Sequence, residues 1–315
     1  MGVCGPLLKG LFYEDKGLFL QTLHPLAALL YLGVLMVLSL VFTNPLYLAA
    51  VFGVIVFGLQ AAEGLEAWEG YMKYALLLAL LVIAVNALVS RAGSTILFSG
   101  PYIPVFGQLS VSAEAICYGA AMSLRLLNII SVFCLYNMVV QPDRMLNLFA
   151  RFAGNSALVA SLCTRLFPSL LKELDNIRDV QRVRGVDLQA GSVKEKIKKN
   201  SSIINILLVS SLEDSLGIAE SMQARAFGSG PRSIYSRNIW RPRDWLCLAA
   251  AVCSLGIAVW AVAGGAGAYN YYPVLDRLIK DSLTMVYLAG TVICLSVPVA
   301  LSWGWKHCHY IKSKI

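Results

Sequence analysis

The chain is dominated by apolar runs close to the length of a bilayer crossing: Pro25–Thr43, Leu46–Ala62, Tyr74–Ser90, Ala115–Val140, Trp245–Ala266 and Leu283–Trp303. A helix needs about 20 predominantly apolar residues to cross a hydrocarbon layer about 30 Å thick. Within lipid, every backbone N–H and C=O of such a run must be bonded inside its own segment. These runs therefore predict an all-α polytopic membrane protein with about six transmembrane helices. The composition agrees. At 58% hydrophobic and 14% charged, the chain lies well outside the roughly 45–50% apolar and 25% charged of soluble domains.

Lysine and arginine set the orientation, because they are retained on the cytoplasmic side. With the N-terminus inside, all of the 26 basic residues except Arg91, Arg125, Arg277 and Lys280 fall on inner segments. The expected topology has both termini cytoplasmic in a bacterial plasma membrane. The net charge of +8 then follows from topology and attraction to anionic lipid, without nucleic acid. Met1–Leu23 lacks the pattern of a cleaved signal. "MGVCGP" has Pro6 where a myristoylation signal wants Ser or Thr. The eight cysteines contain no CxxC pair and read as buried thiols.

Three blocks are expected: 1–140, a membrane block of four spans; 141–243, a cytoplasmic helical region; and 244–315, a transmembrane hairpin with a basic tail. In the middle block Leu158, Leu162, Leu166, Leu170, Leu174, Ile177 and Val180 recur at helical spacing, which marks one amphipathic helix. Pro168 should kink it. Asp175 with Arg178, and Asp179 with Arg182, form i,i+3 pairs on its polar side. A second helix runs from about Ser201 to Phe227. Its small residues Ser211, Ser215 and Ala219 form a row that lets another helix approach closely.

Both helices end alike, in "VQRVRGVD" and "ESMQARAFGSG": an arginine in the last turn, followed by small residues and glycine. One explanation is purely local, since a cation there offsets the negative end of the helix dipole by about 0.3–1 kcal/mol. The other is docking. A planar guanidinium at a helix tip suits bidentate pairing with a carboxylate on a partner, and two adjacent helices of one design favour it.

These two segments resemble the signatures of the transmembrane T component of energy-coupling factor (ECF) transporters, the EcfT/CbiQ family. "LHPLAALLYLGVLMVLSLVFTNPLYL" (23–48) is similar to the family's opening span. "YGAAMSLRLLNIISVFCLYNMVVQPDRMLNLF" (118–149) is similar to its span before the coupling region, and "LFPSLLKELDNIRDVQRVRG" (166–185) to its first coupling helix. The resemblance implies two cytosolic ABC-type ATPase subunits and a small substrate-binding membrane subunit (the S component) as partners. It implies docking of the ATPases through Val183-Arg184-Gly185 and Ala224-Arg225-Ala226, and uptake of a vitamin or transition-metal ion chosen by the S component. The chain departs from the family pattern twice, with Val183 in place of alanine and Ala226 in place of glycine.

No G-x-x-x-x-G-K-[ST] phosphate loop occurs in the sequence, so ATP would be used by partner subunits. No catalytic residue, cofactor or metal is expected on this chain. "HCH" at 307–309 is a metal tract in composition only. Glu63, Glu66 and Glu69 with Trp68 suggest an interfacial helix whose acidic face is solvated. Arg125 within a span invites a functional reading, but Asn128 and nearby carbonyls offer a structural one.

Two rivals belong to other classes. A polytopic transferase would hold Mg²⁺ on aspartates such as Asp175, Asp179 and Asp187, but needs a second acidic cluster. A self-sufficient secondary transporter would show membrane repeats and mid-bilayer charges.

Overall fold

The computed structural model describes residues 19–90, 95–103, 107–141, 144–145, 148, 155–186, 192–230, 240–272, 275–279 and 282–307. In chain order the elements are α1 (Phe19–Thr22), α2 (Pro25–Val41), α3 (Pro45–Ala61), α4 (Leu65–Val89), β1 (Ile96–Ile103), β2 (Gly107–Ser112) and α5 (Ala113–Val139). They continue with α6 (Asn155–Val183), α7 (Val193–Ala224), α8 (Pro242–Ala263) and α9 (Ser282–His307). The protein is a polytopic membrane protein of the all-α class with one small hairpin, and each apolar run of the sequence is a helix. Two compact units emerge. One comprises residues 13–141 and 239–315; the other is centred on 142–238. The "MGVCGP" leader, Asp187, Cys308 and His309 lie outside the described residues.

In the membrane unit, α5 packs against α2, α3 and α4, while α8 and α9 pair with each other and close on α2 and α3 respectively. Proline starts three of these helices: Pro25, Pro45 and Pro242 each occupy the first turn, where a missing N–H costs nothing. The preceding side chains complete the caps. His24 Nδ1 accepts from Leu26 N at 3.3 Å and Asn44 Oδ1 from Leu46 N at 3.0 Å. Helices α4 and α5 approach closely along small residues. A Cβ on Gly119 would lie 3.1 Å from the Ile83 backbone, and Ser123 Oγ donates to Ala79 O at 2.8 Å.

Arg125 has a structural task. Its Nη2 donates to Phe42 O at 2.8 Å, satisfying a carbonyl at the end of α2. Asn128, fully buried, donates to Leu48 O at 3.0 Å. Both residues thus hold the α2–α3 turn against α5. The segment between α8 and α9 packs on the same turn: Tyr271 Oη donates to Thr43 O at 2.7 Å, and Tyr269 N donates to Thr43 Oγ1 at 2.9 Å.

Two local features add to that reading. The segment 92–113, which carries no charged residue, contains an antiparallel hairpin pairing Ile96 with Ser112 and Ile103 with Gly107, with irregular register between. The helix expected around Trp68 is continuous with the third apolar run. Glu66 and Glu69 are exposed in the opening turns of α4 itself, and Glu63 sits in the preceding turn at φ +50°. Trp68 Nε1 donates to Ser131 Oγ at 3.0 Å and fixes that end on α5.

Among the described residues five helices are long and apolar enough to cross a membrane: Leu65–Val89, Ala113–Val139, Lys194–Ala224, Pro242–Ala263 and Ser282–Trp305; α2 and α3 are shorter. The third of these is most of α7, which the sequence reading kept out of the bilayer. If α7 crossed, its adjacent Glu213 and Asp214 would enter hydrocarbon, where a carboxylate at the centre costs about 2.5–3.5 kcal/mol.

At the other end of the membrane unit, the entry to α8 is stitched to the first turns of the chain. Asp244, almost fully buried, accepts from His24 N at 3.1 Å and from Arg241 N at 2.9 Å. Arg243 lies over the Phe19 and Trp305 rings, 5.5 and 5.3 Å from their centroids, and donates to Thr22 O. Asp244→Ala would strand the buried His24 N–H and release that of Arg241, so we expect a loss of about 2 kcal/mol in unfolding free energy, measured by denaturant titration in detergent. Burial holds His24 below its ordinary 6.5, partly offset by Asp244. The unfolded chain then takes up this proton first as pH falls through about 6.5. Acidification from about pH 7.5 to 5.5 should therefore lower the melting temperature. His24→Asn, which keeps a capping oxygen, should flatten that slope; an unchanged slope would remove His24 as its source.

Candidate docking site

The two arginine-bearing helix ends belong to the unit of α6 and α7, helices of 29 and 32 residues. The inward stripe of α6 includes Leu158, Leu162, Leu166, Leu170, Leu174 and Ile177, all half-buried, whereas Val180 is exposed. Pro168 is inside the helix, as the sequence indicated. Helix α7 starts with a capping box: Ser192 N donates to Glu195 Oε2 at 3.2 Å. It buries Ile203 and half-buries Leu207, Ser210, Ile218 and Met222. The Ser210 hydroxyl donates to Glu173 of α6.

Bond for bond, the two ends are the same structure. In the first, Gly185 N donates to Arg182 O and Val186 N to Gln181 O, both at 3.0 Å. In the second, Ala226 N donates to Gln223 O at 2.9 Å and Phe227 N to Met222 O at 3.0 Å. Each is a Schellman motif, a 6→1 bond enclosing a 5→2 bond, with the following residue in the left-handed region. Gly185 is at φ +80° and Ala226 at φ +53°. Arg184 and Arg225 therefore occupy equivalent C-cap positions, each at the point where the chain turns away.

The other arginines of the first segment are engaged within α6. Arg178 pairs with Asp175 at 3.8 Å and Arg182 with Asp179 at 3.5 Å. Arg184 and Arg225 are exposed and have no ion-pair partner among the described residues. Val183 beside Arg184 is 89% exposed, and Gly185, Ala224 and Ala226 are exposed as well. Each tip thus offers an unneutralised guanidinium beside small or apolar surface, suited to a carboxylate set in an apolar groove.

The small-residue row is distributed differently. Ser211 is half-buried, whereas Ser215 and Ala219 face outward. The two serine hydroxyls bond back to their own helix, to Leu208 O and Ser211 O. Exposed Ile204, Leu208, Leu212 and Leu216 flank them.

Reading the sequence missed the equivalence of Ala226 to Gly185, since alanine rarely takes a left-handed conformation. It also missed the Asp244–His24 stitch. Its signal was Asp three residues after Arg241, with Pro242 between, which is an N-terminal capping pattern. The alanine cap is testable. A left-handed L-residue costs roughly 1–2 kcal/mol relative to glycine. Ala226→Gly should raise stability by about 1 kcal/mol and slow hydrogen exchange across 220–230, and Gly185→Ala should do the reverse at the first tip. Equal exchange in both variants would show that the caps do not hold the ends.

Comparison with known proteins agrees with this geometry. Residues 17–235 match the family described as CbiQ, cobalt transport protein. The energy-coupling factor transporter transmembrane protein EcfT of Bacillus subtilis is 29% identical over 156 residues, 46% of this chain and 59% of that protein. EcfT of Macrococcus caseolyticus is 23% identical over 245 residues, covering 73% of this chain and 89% of the relative. A Bifidobacterium longum protein named as a putative ABC transporter ATP-binding protein is 27% identical over 187 residues, 56% of this chain but 23% of that longer protein. The chain spans less than two thirds of the Bacillus relative's length and most of the Macrococcus one. With the match extending over α2 to α5 and both arginine-tipped ends, the chain belongs to the CbiQ cobalt transport protein family.

Proposed function

We propose that the chain is the transmembrane coupling (T) subunit of an ECF-type ABC importer, with Arg184 and Arg225 each docking one cytosolic ABC-type ATPase. The observation that carries this is the pair of matched caps, each leaving its arginine exposed and, among the described residues, without an ion-pair partner, while neighbouring arginines are tied to aspartates. A cap serving only the helix dipole needs no such repetition. The relative named for ATP binding supports a complex in which ATP is used by another polypeptide segment. ATP-driven movement of α6 and α7 would then pass to a substrate-binding membrane subunit that selects a vitamin or transition-metal ion. The outward row of Ser215 and Ala219, with Ser211 at its edge, is open to a helix of that subunit. Both termini are cytoplasmic in this reading, and the membrane is the bacterial plasma membrane.

The transferase alternative is weakened at its own residues, because Asp175 and Asp179 are bound to Arg178 and Arg182. Such exposed pairs contribute little to stability, but they leave the carboxylates poorly placed to hold Mg²⁺ on a diphosphate.

The test is purification of the tagged chain from its native membrane beside Arg184→Glu/Arg225→Glu. The wild type should bring down two ABC-type ATPases and a small membrane protein. The variant should lose at least nine-tenths of the ATPases while eluting at the wild-type position. Retention of the ATPases by the variant would reduce the arginines to helix caps.

A further inference from the structure

We propose that the buried head of Arg243, at the start of α8, is a seat for a phosphate oxyanion, supplied by a membrane lipid or by the free ion. Arg243 is only 3% exposed. Its Nη2 donates to Thr22 O at 3.1 Å, and among the described residues its Nε and Nη1 have no hydrogen-bond partner. A guanidinium carries donors and no acceptor, and buried polar groups of native proteins are nearly always paired. Phe19 and Trp305 attract the cation through their rings, with centroids 5.5 and 5.3 Å from its carbon. Those centroids are 5.6 Å from each other, so the rings cover one side of the guanidinium and leave its in-plane N–H groups unserved.

The neighbouring carboxylate is already committed. Asp244 accepts through Oδ1 from His24 N and through Oδ2 from Arg241 N, and among the described residues no carboxylate forms an ion pair with Arg243. Arg243 also lies in the first turn of α8, the positive end of the helix dipole, where an anion is favoured and a cation is not. Asp244 thus sets one negative charge against the guanidinium and the helix end together. An oxyanion in the guanidinium plane meets both demands, since its oxygens accept charge-assisted bonds and its charge offsets the helix end. A water would answer the bonds but not the charge.

Depth points to phosphate. Four of the chain's six tryptophans, Trp240, Trp245, Trp303 and Trp305, stand beside the start of α8 or the end of α9. The contact of Trp305 with Arg243 puts those two helix ends at one level, and Trp245 and Trp303 are 59% and 66% exposed. Indole is enriched at the headgroup level of a bilayer. Arg243 therefore lies at the depth of lipid phosphates, next to the water that would carry the free ion.

The experiment titrates the delipidated full-length chain in mild detergent with dioleoyl phosphatidylglycerol, with dioleoylglycerol, which lacks the phosphate, or with inorganic phosphate. Adducts are read by native mass spectrometry and stability by melting temperature. We expect one phosphatidylglycerol adduct that survives collisional activation stripping dioleoylglycerol, together with a rise in melting temperature. Arg243→Gln should reduce the adduct at least tenfold. Trp305→Leu, which keeps the cation but removes one ring beside it, should reduce it roughly threefold, so the folding of one variant does not decide the result. Arg241→Gln, which removes an exposed charge from the same end, should leave it within about twofold. If inorganic phosphate displaces the lipid and stabilises the wild type but not Arg243→Gln, the seat stands and its source is the free ion. Equal retention of the two lipids overturns the proposal. So does equal loss in Arg241→Gln and Arg243→Gln, which reports surface charge rather than a seat. A wild type with neither adduct nor stabilisation leaves the guanidinium to water and overturns it as well.

Discussion

Helix ends within or against a bilayer must find partners for carbonyls and amides that water would otherwise satisfy, and this requirement organises the membrane unit. At one face the end of α2 is met by Arg125 from α5, and the Thr43 backbone by Tyr271. At the other face Asp244 takes the amides of His24 and Arg241 together. Except for the local bond from Arg241, each contact joins parts of the chain distant in sequence, so the termination of one helix positions another. Arg125, which in isolation resembles an intramembrane functional charge, belongs to this accounting.

Much of this was legible because membrane helices announce themselves by length and apolarity. The starts were legible too: His24-Pro25 and Asn44-Pro45 are N-cap and first-turn pairs, and the structure uses them as such. What escaped the sequence depended on long-range or conformational facts. The hairpin of β1 and β2 is rich in Ile, Phe, Tyr and Val, but absence of charge was its most visible property. Glu66 and Glu69 read as the solvated face of an interfacial helix. They are only the polar start of α4, where acidic side chains are favoured by the helix dipole. The Asp244 stitch joins residues 220 positions apart, beyond any local pattern.

At the candidate docking tips the sequence singled out two residues, and the structure adds how they are presented. The arginines stood out by repetition. Their availability follows from i,i+3 pairing, which ties up Arg178 and Arg182 and leaves Arg184 at the tip. The substitution of alanine for glycine at 226 suggested a poorer second signature. Instead the backbone holds the same left-handed cap with alanine as with glycine, so the presentation of Arg225 survives the change.

That substitution leaves the two tips unequal in stiffness. Glycine at 185 retains a wide range of backbone states whenever its cap opens, and ordering it costs more conformational entropy than ordering alanine. Alanine at 226 narrows the alternatives although its folded conformation is less comfortable. Two partners meeting these tips would face different ordering costs: the glycine cap closes without strain but has more states to lose, while the alanine cap opens more readily but has fewer. Assembly with two similar motors would then carry an intrinsic order, written in a single methyl group.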